Sequence, residues 1–183
     1  MKSRRAAFWT LFAATVIVYA VMMMWSLPII ATQAGGLTPF DLRPAGYGLT
    51  EAQAFLAALP ADGVAFYLGI QQMLDTAYPA LLGATLFFAI AGLAPERLGV
   101  WRWVLAAFAV PGAVFDWLEN ASVVAMLKAG PDGVTPEMVA AANRWTVLKS
   151  AFTTLAMAIV VVLLVRWFID RRRRHAAGEV SST

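Results

Sequence analysis

The chain has no cysteine, a single histidine, and charged side chains at only 14% of its positions. Without cysteine there can be no disulfide framework, no thiolate metal site and no thiol nucleophile. The lone histidine, His175, stands near the C-terminus, which argues against a histidine-built metal centre or a Ser-His triad. Charge is scarce and 61% of the 183 residues are hydrophobic. A soluble domain of this size needs far more polar surface, so the composition implies a single-domain integral membrane protein. The formal charge of +3 does not point to nucleic acid, because the basic residues gather at the ends of apolar runs.

What the chain does have is long apolar segments. Crossing a hydrocarbon core of about 30 Å takes about 20 helical residues. Four segments meet that length, near 7–29, 64–93, 103–127 and 142–169. They predict an all-α, four-transmembrane-helix bundle over 1–170, an external loop at 30–63, and a basic tail at 171–183. Lys2, Arg4 and Arg5 precede the first span, Arg97 and Arg102 separate the second and third, and Arg166 and Arg171 to Arg174 close the fourth. The positive-inside bias therefore places both termini in the cytoplasm of a cell membrane, most simply a bacterial inner membrane. The first span also resembles a signal peptide, with Thr32-Gln33-Ala34 before Gly35-Gly36. Its apolar run exceeds the roughly 7–15 residues of an h-region, so an uncleaved anchor is expected. Residues 176–183 read as a disordered tail.

The external loop is not plain linker. Pro39-Phe40-Asp41-Leu42-Arg43-Pro44-Ala45-Gly46-Tyr47-Gly48 is rich in turn formers, with Asp41 and Arg43 placed to pair and Tyr47 to sit at the interface. Thr50-Glu51-Ala52-Gln53 matches a capping box, predicting a short helix over 51–59 that stops at Pro60. It is expected to lie on the bundle or on the membrane face. After the turn Gly130-Pro131-Asp132-Gly133, Thr135 and Pro136 supply an N-cap and an N1 proline for the last helix.

Inside the apolar runs stand groups that cost roughly 2.5–3.5 kcal/mol each at bilayer depth. Asp116, Glu119 and Asn120 share one helical face by their i, i+3, i+4 spacing. Asp75 interrupts the second run, and Lys149 the fourth, with Thr146, Ser150, Thr153 and Thr154 around it. Counted from the outer ends, these residues occupy overlapping layers in the outer half of the membrane. The inner halves, such as 155–165, are almost purely apolar. Three acids facing one lysine leave an excess of negative charge that a proton or cation would balance. Adjacent Gln71 and Gln72 cannot both face this layer. The Asp116–Glu119 spacing suits a hard divalent ion, but the ligand chemistry without histidine argues against one, so neither metal nor cofactor is expected.

The functional expectation is an outward-facing acidic and polar pocket that binds or modifies a lipid-like amphiphile. Glu119 and Asp116 are the candidate acid–base residues, and Asp75, Asn120, Lys149, Gln72 and Thr153 are candidate binding residues. Expected partners are membrane lipids and a lipid-like small molecule, not nucleic acid, and a homo-oligomer is compatible with the sequence. Two other classes stay open: a small proton- or cation-coupled transporter, and a non-catalytic assembly protein whose charged layer is helix glue.

Overall fold

The computed structural model describes residues 2–180, with side chains over 5–173. Among the described residues every regular element is helical. The first helix, α1 (Lys2–Val21), passes through a π-turn at Met22–Ser26 into α2 (Leu27–Gln33). Pro28 lies at the start of α2 and lacks the N–H that would bond Met24, and the Leu27 N–H bonds the Met22 carbonyl five residues back. The helix ends at Gly35 and Gly36, whose φ angles of 65° and 89° turn the chain. A cap segment over 37–48 follows, with a 3₁₀ turn at Phe40–Leu42, and then α3 (Leu49–Ala58).

Pro60 breaks the chain before α4 (Ala61–Phe66), which runs through a second π-turn, Tyr67–Gln71, into α5 (Gln72–Leu93). After a 3₁₀ turn come α6 (Trp101–Ala107), α7 (Val110–Gly133) and α8 (Pro136–Val180). Gly130, with φ 71°, is not helical, so α7 proper ends just before it. The Thr135 hydroxyl accepts the Met138 N–H at the start of α8, the cap that the sequence implied.

Three continuous helices are long and apolar enough to cross a membrane: Arg5–Gln33, Ala61–Leu93 and Pro136–Arg173. The span expected at 103–127 is instead divided into α6 and α7 by a break at Phe108 and Ala109. Pro111 causes it, having no N–H for the Ala107 carbonyl. Asp116, Glu119 and Asn120 further dilute the apolar character of α7. The outward faces of the molecule carry Trp9, Ile17, Met73, Phe88, Val161 and Val162, a surface suited to lipid rather than water.

Three local expectations are corrected. The short external helix begins at Leu49, not Glu51, and its N-cap is Gly48, whose N–H donates to Glu51 Oε2 at 2.8 Å. Thr50 and Gln53 form no capping box, because the extended backbone falls two residues earlier, at Gly48. This helix packs inward, with Ala52 and Phe55 fully buried against α7, rather than lying on the membrane face. At the other end α8 continues as helix to Val180, where a disordered tail was expected to start at 176. Residues 181–183 of that tail lie outside the described residues.

Packing positions the site. Helices α7 and α8 run antiparallel along most of their length, and α5 packs against α1, α6, α7 and α8. Two apolar cores result. One, on the cap side, joins Ile30, Phe40, Phe55, Tyr67, Val123, Met126 and Ala142. The other, at the opposite end, joins Leu86, Ile90, Ala106, Ala109, Ala156 and Leu163. On α8, Thr146 and Lys149 fall between Ala142 of the first core and Ala156 of the second, and Asp116, Glu119 and Asn120 fall between Val123 of the first and Ala109 of the second.

Candidate functional site

The centre of the layer is one cation between two acids. Lys149 Nζ lies 3.1 Å from Asp116 Oδ1 and forms a close ion pair with Glu119. The other Glu119 oxygen accepts a 2.6 Å hydrogen bond from the Thr146 hydroxyl, whose single proton it shares with the Ala142 carbonyl at 3.1 Å. Asp116 and Glu119 are one turn apart on α7, and Lys149 and Thr146 are one turn apart on the antiparallel α8. Each acid therefore meets its partner at the same height. Glu119 is almost fully enclosed, whereas the Asp116 and Lys149 side chains keep 17% and 20% of their exposure.

A second string of bonds starts on α5. Pro79 has no N–H, so the Asp75 carbonyl four residues before it loses its helical partner. Asn120 Nδ2 from α7 donates to that carbonyl at 2.8 Å. The next carbonyl, Thr76, accepts the Trp117 indole N–H at 3.0 Å. The Asp75 carboxylate accepts from Gln71 Nε2 at 2.7 Å, and Gln71 Oε1 accepts from Ser26 Oγ at 2.6 Å. Ser26 and Gln71, both fully buried, are the last residues of the two π-turns, which face one another. Short π-segments within α-helices often mark functional positions.

The cap segment roofs this layer. Phe40 packs between Tyr47 and Phe55, with ring centroids at 4.9 and 4.8 Å. The Arg43 guanidinium lies 5.6 to 5.9 Å from the three ring centres and donates two bonds to the Thr38 carbonyl. It thus clips the segment to itself and faces Glu51 at 4.0 Å, rather than pairing with Asp41. Asp41 turns the other way and accepts a hydrogen bond from the Tyr67 hydroxyl. Asn143 on α8 closes the far edge, accepting the Tyr47 N–H at 3.2 Å and donating to the Tyr47 carbonyl at 2.8 Å. Gly46 allows this contact: it has φ 82°, and a Cβ there would sit 3.0 Å from Asn143 Oδ1.

Burial raises the Asp41 carboxyl above its ordinary value, with Lys149 near enough to oppose the shift and Asp116 to add to it. Burial likewise pushes the Tyr47 phenol up, helped by the negative charge of Glu119 and Asp41. The Tyr47 ring is buried rather than interfacial, and its hydroxyl has no hydrogen-bond partner.

The expected outward-opening pocket is thus covered over by aromatic packing. A crevice of about 10 Å³ between α5, α7 and α8, roughly the room for one water, reaches Asp116. Pro79, Leu82 and Gly83 of α5, Ala109 at the break before α7, Gly112 and Asp116 of α7, and Thr153 of α8 are among its walls. Of the residues picked from sequence, Asp116, Glu119 and Lys149 meet directly, while Asp75 and Asn120 join them through α7. Thr153 lies in the crevice wall, one turn further in than Lys149. Gln72 is half-buried and its side chain makes no hydrogen bond; its neighbour Gln71 takes the inner place. Sequence reasoning missed Ser26, Asp41, Tyr47 and Tyr67 as members of the layer. The signal for Ser26 was a polar residue inside an apolar run; the signal for Asp41 was an acid in an apolar, proline-flanked turn.

Among the described residues no group of three or more acids and histidines is arranged to hold a metal ion. Compared with protein-family models, curated proteins and solved structures, the chain matches none, so the geometry alone carries the functional argument.

Proposed function

We propose that this chain is a four-span membrane protein, with both termini in the cytoplasm, that binds the polar head of a lipid-like amphiphile in its charged layer and exchanges a proton with it. The carrying observation is the Asp116–Lys149–Glu119 cluster, two acids around one cation, with Asp116 in the wall of a crevice between α5, α7 and α8. An uneven cluster of this kind takes up or releases one proton more readily than a balanced pair. Asp116, the more exposed acid, is the group assigned to exchange it. Glu119 and Thr146 hold Lys149 in place, and the ammonium tunes Asp116. The crevice walls are small or apolar side chains, which suits an alkyl chain entering between helices once the walls part.

Transport is the weaker reading: at the level of Leu86, Ile90, Ala106, Ala156 and Leu163 the buried polar groups among the described residues are the Thr15 and Thr85 hydroxyls, bonded to one another at 2.8 Å, with no ionisable side chain to relay charge toward the cytoplasmic side. A purely structural ion cluster is the competing account, and one comparison separates them. Asp116→Asn leaves the Lys149–Glu119 pair intact. Under the functional reading it keeps or gains thermal stability in detergent while losing amphiphile binding, since functional charges are held at a cost to the fold. A fall in melting temperature as large as that of Lys149→Met would make the cluster structural.

A further inference from the structure

Tyr47 is 7% exposed, and its hydroxyl is buried without a hydrogen-bond partner among the described residues. Glu119 and Asp41 lie near enough for their charge to act on it. Its backbone is fixed on both sides by Asn143, and its ring is held by packing against Phe40 and Arg43. Buried hydroxyls in folded proteins nearly always have a partner, and one held rigidly without any marks a place where a ligand or water supplies it. Glu119 of α7 and Asp41 of the cap are the acids that act on Tyr47, and Asp116 and Asp75 lie beyond them in the same layer. Lys149 is paired with Asp116 and Glu119, and Arg43, whose guanidinium lies 5.6 Å from the Tyr47 ring centre, is bonded to the Thr38 carbonyl within the cap.

We propose that Tyr47 is the head-group contact of this site, and that the head group it serves carries an O–H or N–H and no negative charge. The inference rests on the amphiphile reading above and specifies its ligand. A hydroxyl or amine placed beneath the cap accepts from or donates to the Tyr47 oxygen and donates to Glu119 or Asp41, giving the buried phenol a partner. A phosphate or carboxylate head would bring an anion into a layer that already holds more acids than bases, and it has no free cation to meet there. The site thus selects alkyl alcohols and amines over alkyl phosphates and fatty acids of equal length. The layered order of the fold fits this, with Gly112 and Thr153 at the crevice, then Asp116 and Lys149, then Glu119 and Thr146, and finally Tyr47 and Asn143.

The test uses the full chain in lipid nanodiscs with three photoreactive probes of one chain length: an alkyl alcohol, an alkylamine and an alkyl phosphate. Labelling is titrated against the same unlabelled compound and mapped by mass spectrometry. Saturable labelling of α7 or the cap by the alcohol and amine, and not by the phosphate, is expected. Tyr47→Phe should weaken the alcohol's half-saturation by about tenfold, the scale of one hydrogen bond. Its melting temperature should be unchanged or higher, because the phenol has no partner in the empty protein. Equal or stronger labelling by the phosphate overturns the inference, as does a Tyr47→Phe variant that binds the alcohol like wild type. A lower melting temperature for Tyr47→Phe also overturns it, by showing that the hydroxyl is bonded within the fold. If no probe saturates, the amphiphile reading itself falls; failure at Tyr47 or on head-group charge alone leaves that reading standing.

Discussion

Pro79 and Asn120 form a coupled pair whose coupling is measurable. Pro79 strips the Asp75 carbonyl of its helical donor and Asn120 replaces it, so neither residue has a fixed worth alone. Asn120→Ala should cost about 1–3 kcal/mol, the range for an orphaned buried acceptor. In a Pro79→Ala background, where the helix regains its own N–H, the same change should cost clearly less. A double-mutant cycle from unfolding in a mixed-detergent titration reads the difference. For Lys149→Met, removing the lone cation between two buried acids should destabilise by about 3–5 kcal/mol. Asp116, Glu119 and Lys149 were legible from sequence because a charge within an apolar run announces itself. Gln71 against Gln72 was not legible: neighbours on a helix point about 100° apart, and only the packing around Ser26 chooses between them. Asp41 and Tyr67 are equally silent in sequence, since 26 positions and a cap segment separate them.

Helices α5, α7 and α8 meet through small residues just inward of the charges. A Cβ on Gly112 would lie 2.8 Å from Thr153 Oγ1 and one on Gly83 3.1 Å from the Ala113 Cβ. Gly112→Ala should therefore push α7 from α8, lower the melting temperature and weaken the Lys149–Asp116 contact. Thr153→Ala should restore most of that loss, because it removes the clashing hydroxyl. The cap has its own signature in pH. Burial raises the Asp41 carboxyl above its ordinary 3.8, so the folded chain holds this proton more tightly than the unfolded one. Its contribution is fully present at low pH and is lost as pH rises through the raised value. Asp41→Asn should melt higher than wild type at neutral pH and show a flatter profile from acid to neutral, as calorimetry would record. The long helices were readable in the sequence by length and apolarity. The cap was not, because its order depends on aromatic contacts that no periodicity encodes.

A chain without cysteine accepts single cysteines as reporters, and orientation can be read directly from them. Thr38→Cys and Asp132→Cys should react with a membrane-impermeant maleimide in intact cells, and Glu96→Cys only after lysis. Reaction of both Asp132→Cys and Glu96→Cys from outside would mean that α6 and α7 do not cross. The test bears on the point where sequence and structure part, since three helices pass as spans on length and composition and the fourth is broken at Phe108 and Ala109.

That broken helix has a consequence for how the molecule is made. Segment α7 leaves the ribosome before Lys149 exists, carrying two acids, an asparagine and a proline. An insertion machine that judges each segment on its own apolarity would release it into lipid reluctantly. Its acids become tolerable only when α8 arrives with their cation. If α6 and α7 cross the membrane as proposed, α7 and α8 should enter the bilayer as a hairpin, with α7 settled only once α8 has emerged. Truncation within α8 ahead of Lys149 should strand α7 outside the hydrocarbon and hand the protein to membrane proteases.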